Sequence, residues 1–132
     1  MRKLTDYKGV MAFDFDATLA TYSRPWRKYL LGEPIKEIIY VLRHYYVSGY
    51  YILIFTGRKK NELLREWLEM NGVPYHSINT NPTHHEGTSK FKPYFNVLID
   101  DKAINPTNLK SGKSKSTRKL IKEINQVINR GN

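Results

Sequence analysis

At 132 residues, 40% hydrophobic and 26% charged, the chain fits one ordinary globular domain, and no apolar run approaches the roughly 20 residues a membrane helix requires. Zero cysteines exclude a disulfide framework and a thiolate metal site, and MRKLTDYKG at the N-terminus lacks the apolar stretch of a secretory signal, so a cytosolic location is expected. The formal net charge of +10, from 22 Lys plus Arg against 12 Asp plus Glu, fits either attraction to polyanions or a surplus of solubilising lysines.

The first apolar run, VMAFDF at residues 10–15, is continuous instead of alternating, which predicts a strand buried on both faces. It ends in Asp14 and Asp16. Residues 17–33 read as a loop. EPIKEIIYVLRHYYVSG then sets Ile35, Ile38, Ile39, Leu42 and Tyr46 at helical spacing, with Pro34 at the entry and Gly49 at the exit. YYILIFT predicts a second buried strand, closed by Thr56 with Gly57 and Arg58 behind it. KKNELLREWLEMNG repeats the helical pattern through Leu63, Leu64, Trp67 and Leu68 and stops at Asn71 and Gly72. PYHSI at residues 74–78 is a weaker strand candidate, and residues 79–95 form a second loop. NVLID is the third buried strand, closed by Asp100 and followed by Asp101. The basic KSGKSKSTRK at residues 110–119 leads into a last helix, about residues 116–130, patterned by Leu120, Ile121, Ile124, Val127 and Ile128. The alternation predicts one α/β domain over 1–132: a Rossmann-like three-layer sandwich whose mainly parallel sheet, of about four to five strands, carries helices on both faces.

In such a sheet ligands bind beyond the carboxyl ends of the strands, where this chain places Asp14, Asp16, Thr56, Asp100 and Asp101. Clustered carboxylates repel, so the pattern is reasonable if a hard divalent cation holds them ionised. With oxygen ligands alone on offer, Mg²⁺ is the natural candidate.

These motifs resemble the haloacid dehalogenase (HAD) superfamily of aspartate-nucleophile phosphohydrolases. DFDATL is similar to its first motif, FTGR to its Thr/Ser motif, KFKPYFN to its lysine motif and LIDDKA to its acidic motif, in the family's order and over roughly residues 9–104. The resemblance implies that Asp14 is the nucleophile and forms an aspartyl-phosphate, while Asp16 is general acid and base. It implies that Thr56, Gly57 and a lysine hold the phosphoryl oxygens. Lys92 is preferred because proline follows it, with Lys90 the fallback. Mg²⁺ would be held by Asp14, the backbone carbonyl of Asp16, and Asp100 with Asp101, the order within that pair being open. Asp16 favours phosphoester chemistry, because the family's true dehalogenases lack this second aspartate. Ala17 stands where the family's commonest motif has Gly; if the position needs a positive φ, Ala costs on the order of a kcal/mol there.

Blander readings stand beside these. An Asp-x-Asp is elsewhere a cap or an Asx turn. Arg58 either touches phosphate or is solvated. His84, His85 and Glu86 lack the helical spacing of a zinc site and read as polar loop. SGKSKST is no P-loop, because Thr107 stands where its first Gly belongs. Tyr45, Tyr46, Tyr50 and Tyr51 read as core packing, and Trp26 and Tyr29 either pack or stack a base.

The two loops are too short for a cap domain, so an open site is expected. With basic surroundings it suits a phosphate on something bulky, and TGR with IDDKA resembles polynucleotide phosphatase domains. The expectation is a Mg²⁺-dependent, capless phosphatase acting on nucleotides or on 3′ or 5′ nucleic-acid ends, with sugar phosphates as a further substrate class. A non-catalytic phosphate or nucleic-acid binding module is the alternative. A response-regulator receiver would carry its acidic pair on the first strand and its phosphoacceptor on the third, a different order. No membrane partner is expected, and an oligomer is compatible with the sequence.

Overall fold

In the computed structural model, which describes residues 6–22, 30–59, 62–80 and 94–131, the apolar runs become strands. β1 is Val10–Asp14, β2 Tyr51–Phe55, β3 Ser77–Ile78 and β4 Val97–Ile99; α1 is Lys36–Val47, α2 Glu62–Met70 and α3 Thr117–Gly131. The result is a Rossmann-like α/β fold whose four strands run parallel in the order β3-β2-β1-β4. Among the described residues no further helix or strand lies between β1 and α1 or between β3 and β4.

The residues group into two compact units, Met1–Asp100 and Asp101–Asn132. In the first unit, Ile39 and Leu42 of α1 and Leu64 and Leu68 of α2 are buried with Met11, Phe13, Ile52 and Ile54. Both helices therefore cover one face of the sheet. The alternate residues Val10, Ala12, Tyr51 and Leu53 form a second buried cluster joined by Tyr7, Tyr94, Phe95 and Leu98. Within this unit, then, helices are seen on one face, and side chains from segments beside β1 and β4 line the other. Because β1 and β2 are buried from both sides, their sequences show no polar alternation.

Each helix buries a narrower stripe than its pattern suggested. Tyr46 and Leu63 are exposed, whereas Trp67 packs partly against the core. Tyr45 and Tyr50 likewise pack against the core, and burial pushes the Tyr51 phenol above its ordinary pKa. Gly49 and Gly72, at φ +99° and +63°, end α1 and α2 in the left-handed turn that a Cβ disfavours.

In the second unit the backbone pairs Thr107 with Ser114, and the Ser116 hydroxyl accepts from the Lys119 amide at 3.2 Å to cap α3. Lys115 and Glu123 form an ion pair at 3.0 Å, and Arg130 donates to the Asp101 carbonyl at 2.8 Å. Ile121, Ile124 and Ile128 of α3 are exposed. Among the described residues, no helix is long and apolar enough to cross a membrane.

Candidate functional site

The strand order dictates where a crevice opens. From β1 the chain moves outward to β2 and β3, then returns to add β4 on the other side of β1, so the order reverses at β1. At such a switch point neighbouring loops leave the sheet in opposite directions and free the space beyond the carboxyl ends. Asp14 is the last residue of β1, and Asp100 directly follows β4.

One carboxylate oxygen from each of Asp14, Asp100 and Asp101 lies within 4.8 Å of the others. Three anionic oxygens at that spacing fit a hard divalent cation, which accepts all-oxygen ligation and offsets their mutual repulsion. Asp14, Asp100 and Asp101 are thus brought together as a possible metal set. The Asp16 carboxylate is turned to a different partner. Arg58 donates from Nη2 to its Oδ1 at 2.7 Å and from Nε to its Oδ2 at 3.0 Å, a two-pronged ion pair.

Register explains that pair. Asp14 lies opposite Phe55 in the β1–β2 ladder, so the residues just past each strand leave the sheet side by side. Arg58 is 7% exposed, which rules out the solvated reading of this residue. Its guanidinium carbon lies 5.9 Å from the centre of the Phe15 ring.

Thr56 is buried at the end of β2, and its hydroxyl accepts from the Arg58 amide at 3.1 Å, an arrangement in which its own O–H is the remaining donor. Asn79, just past β3, holds the Thr56 backbone from both sides: its Oδ1 accepts from the Thr56 amide at 2.9 Å and its Nδ2 donates to the Thr56 carbonyl at 2.8 Å. Asn79 sits at φ 59°, a conformation Asn tolerates better than most residues. Asn79 belongs to no motif in the sequence; an Asn directly after a short strand is its one available signal. Gly57 has open space where a Cβ would stand, and its φ lies outside the left-handed region. It leaves room beside Thr56 and is not required as a turn former.

The loop after Asp14 is tight. The Phe15 carbonyl accepts from the amides of Thr18, Leu19 and Ala20, at 3.3, 3.0 and 3.1 Å. To close the turn, Ala17 takes φ 65°. The anomaly in the motif is therefore real strain, because a Cβ in the left-handed region costs about 1–2 kcal/mol. Ala17→Gly should remove that cost at the expense of a more flexible unfolded chain, for a net gain of about 0.5–1 kcal/mol. A urea midpoint that falls would show instead that the Ala17 methyl contributes useful packing.

Lys90 and Lys92 lie outside the described residues, as do His84, His85, Glu86, Trp26 and Tyr29.

No protein-family model matches the chain, and no curated protein matches it. A solved structure does. The conserved protein coded by a locus from Bacteroides thetaiotaomicron is similar over 89% of each chain, at 24% identity and a TM-score of 0.58. At that identity the likeness speaks for the fold alone.

Proposed function

We propose that the chain is a Mg²⁺-dependent phosphatase of the HAD type that works through an aspartyl-phosphate on Asp14. The observation that carries this reading is the convergence of Asp14, Asp100 and Asp101 within 4.8 Å at the switch point of a parallel sheet. Thr56 and Asp16 at the adjoining strand ends add to it. In this reading the Asp14 carboxylate attacks phosphorus in line and the ester P–O bond breaks. The electron pair leaves on the alkoxide oxygen, which takes a proton from the Asp16 carboxyl. Water then attacks the aspartyl-phosphate and gives its proton to Asp16. The phosphorus bond to Asp14 breaks, returning the carboxylate and releasing inorganic phosphate. The Thr56 hydroxyl, whose oxygen already accepts from Arg58, donates to a phosphoryl oxygen. Asp14, Asp100 and Asp101, with the Asp16 carbonyl, would hold Mg²⁺, which would supply neutralising charge for the phosphoryl oxygens.

For substrate class we propose nucleotides or phosphorylated nucleic-acid ends. The basic surplus is uneven: residues 101–132 carry eight lysines and arginines against two acidic residues, and polyphosphate backbones are drawn by such a segment. The test is phosphate release in Mg²⁺ from a panel comprising a generic aryl ester, a sugar phosphate, nucleotides and oligonucleotides phosphorylated at either end. Turnover that stops in EDTA and returns with Mg²⁺ is expected, with the oligonucleotide or nucleotide members preferred. Preference for the sugar phosphate would reassign the substrate. Oligonucleotide binding without turnover of any member would favour the non-catalytic binding module. Oligonucleotide affinity is expected to fall about linearly in log–log form with salt. A salt-independent affinity would remove the basic segment from recognition.

A further inference from the structure

We infer that Arg58 is a positioning residue that acts through Asp16, holding the carboxylate that moves the proton, and is not a ligand of the substrate phosphate. The inference rests on the phosphatase reading and deepens it. Three observations carry it. The Arg58 side chain is 5% exposed, and Nε and Nη2 each bond a different oxygen of Asp16, at 3.0 and 2.7 Å. Two parallel bonds from a planar fork fix both the position and the plane of a carboxylate, which one bond or a lysine ammonium does not do. Arg58 is itself held at both ends: Nη2 reaches the Leu30 carbonyl at 3.5 Å with the Phe15 ring beside the guanidinium, and the backbone amide is tied to Thr56 Oγ1. The clamp is therefore built on the end of β2 and reaches across to the loop after β1.

Hydrogen-bond bookkeeping is compatible with the role. Each carboxylate oxygen has two lone-pair directions, and Arg58 uses one on each, so a second direction on either oxygen is left for the travelling proton. When Asp16 carries that proton on one oxygen, the bond from Arg58 to the other oxygen still fixes the plane. Proton transfer needs its donor within hydrogen-bond reach of the leaving oxygen. A half-buried carboxyl left free to rotate meets that condition only part of the time.

The test uses two esters that differ in their need for a proton. An alkyl phosphate expels a strongly basic alkoxide that must be protonated, whereas dinitrophenyl phosphate expels a phenolate that leaves unaided. The parameter to compare is kcat/KM, which reports the first transfer and not the later hydrolysis. Arg58→Lys, which keeps the charge and loses the fork, and Arg58→Ala are each expected to lose about 10²-fold on the alkyl ester while staying within about threefold of wild type on the dinitrophenyl ester. In an Asp16→Asn background neither change should cost anything more on the alkyl ester, since a residue that acts through another has no effect once that residue is gone. An equal loss on both esters, or a further loss in the Asp16→Asn background, overturns the inference and returns Arg58 to the phosphate. Absence of turnover by wild type on both esters is a different result: it overturns the phosphatase reading and the proton-transfer role with it. The clamp itself is judged without turnover by urea unfolding of Arg58→Lys, Asp16→Asn and the double variant. A double midpoint no lower than that of the worse single variant supports the clamp, and additive falls overturn it.

Discussion

Replacing Asp14 by Asn is expected to lower phosphate release by about 10⁴-fold or more, the scale on which loss of a covalent nucleophile is felt. Asn keeps the shape of the side chain and removes its nucleophilic charge, and Asp14 is only half-buried at the end of β1, so the fold should survive. Two further consequences separate this outcome from simple damage. Without metal, the variant should unfold close to the wild-type urea midpoint, because Asn keeps the shape of the side chain at a half-buried position. With metal, it should lose most of the stabilisation that Mg²⁺ confers on the wild type, because a ligand stabilises only in proportion to its affinity for the folded state. The measurements are phosphate release and urea midpoints with and without Mg²⁺. Turnover untouched by the change would remove Asp14 from the reaction, and a wild-type midpoint indifferent to Mg²⁺ would remove the metal from this cluster.

Much of the fold was legible because burial on both faces leaves a plain mark. VMAFD and YILIF have no polar alternation, and both became central strands paired residue for residue. β4 came out shorter than its apolar run, and β3 is only two residues long, too short for any pattern. The acidic end of the site was legible for the same reason, since a charge that stops an apolar run must lie where the strand leaves the core. The Arg58–Asp16 pair was not. Its partners are 42 residues apart, and they meet only because the β1–β2 register carries 14 alongside 55. Asn79 escaped in the same way: its hold on Thr56 follows from the pairing of Ile54 with Ile78, which no local sequence signal reveals. Ala17 is the opposite case. It stood out as the letter that did not suit a positive φ, and the positive φ is there.

Phe15→Ala is expected to damage stability most, because this residue between the two aspartates is a structural part of the site. Phe15 is fully buried, its ring meets Trp67 edge to face at 4.9 Å, and the Arg58 guanidinium carbon lies 5.9 Å from its centre. Removing a buried phenyl ring costs about 3–5 kcal/mol in lost burial and residual cavity. That is a large share of the roughly 5–15 kcal/mol that holds a domain of this kind together. The functional effect should exceed the loss of folded protein. The backbone of Phe15 receives three amides of the following turn, so a ring that no longer anchors it lets Asp16 and its Arg58 clamp drift together. Phe15→Leu, which refills most of the volume, should cost about 1–2 kcal/mol and keep most of the turnover. Urea unfolding gives the stability, and turnover per folded molecule in native buffer gives the geometry. If the folded fraction of Phe15→Ala works at the wild-type rate, the ring serves the core alone and the two aspartates are held by their backbone without it.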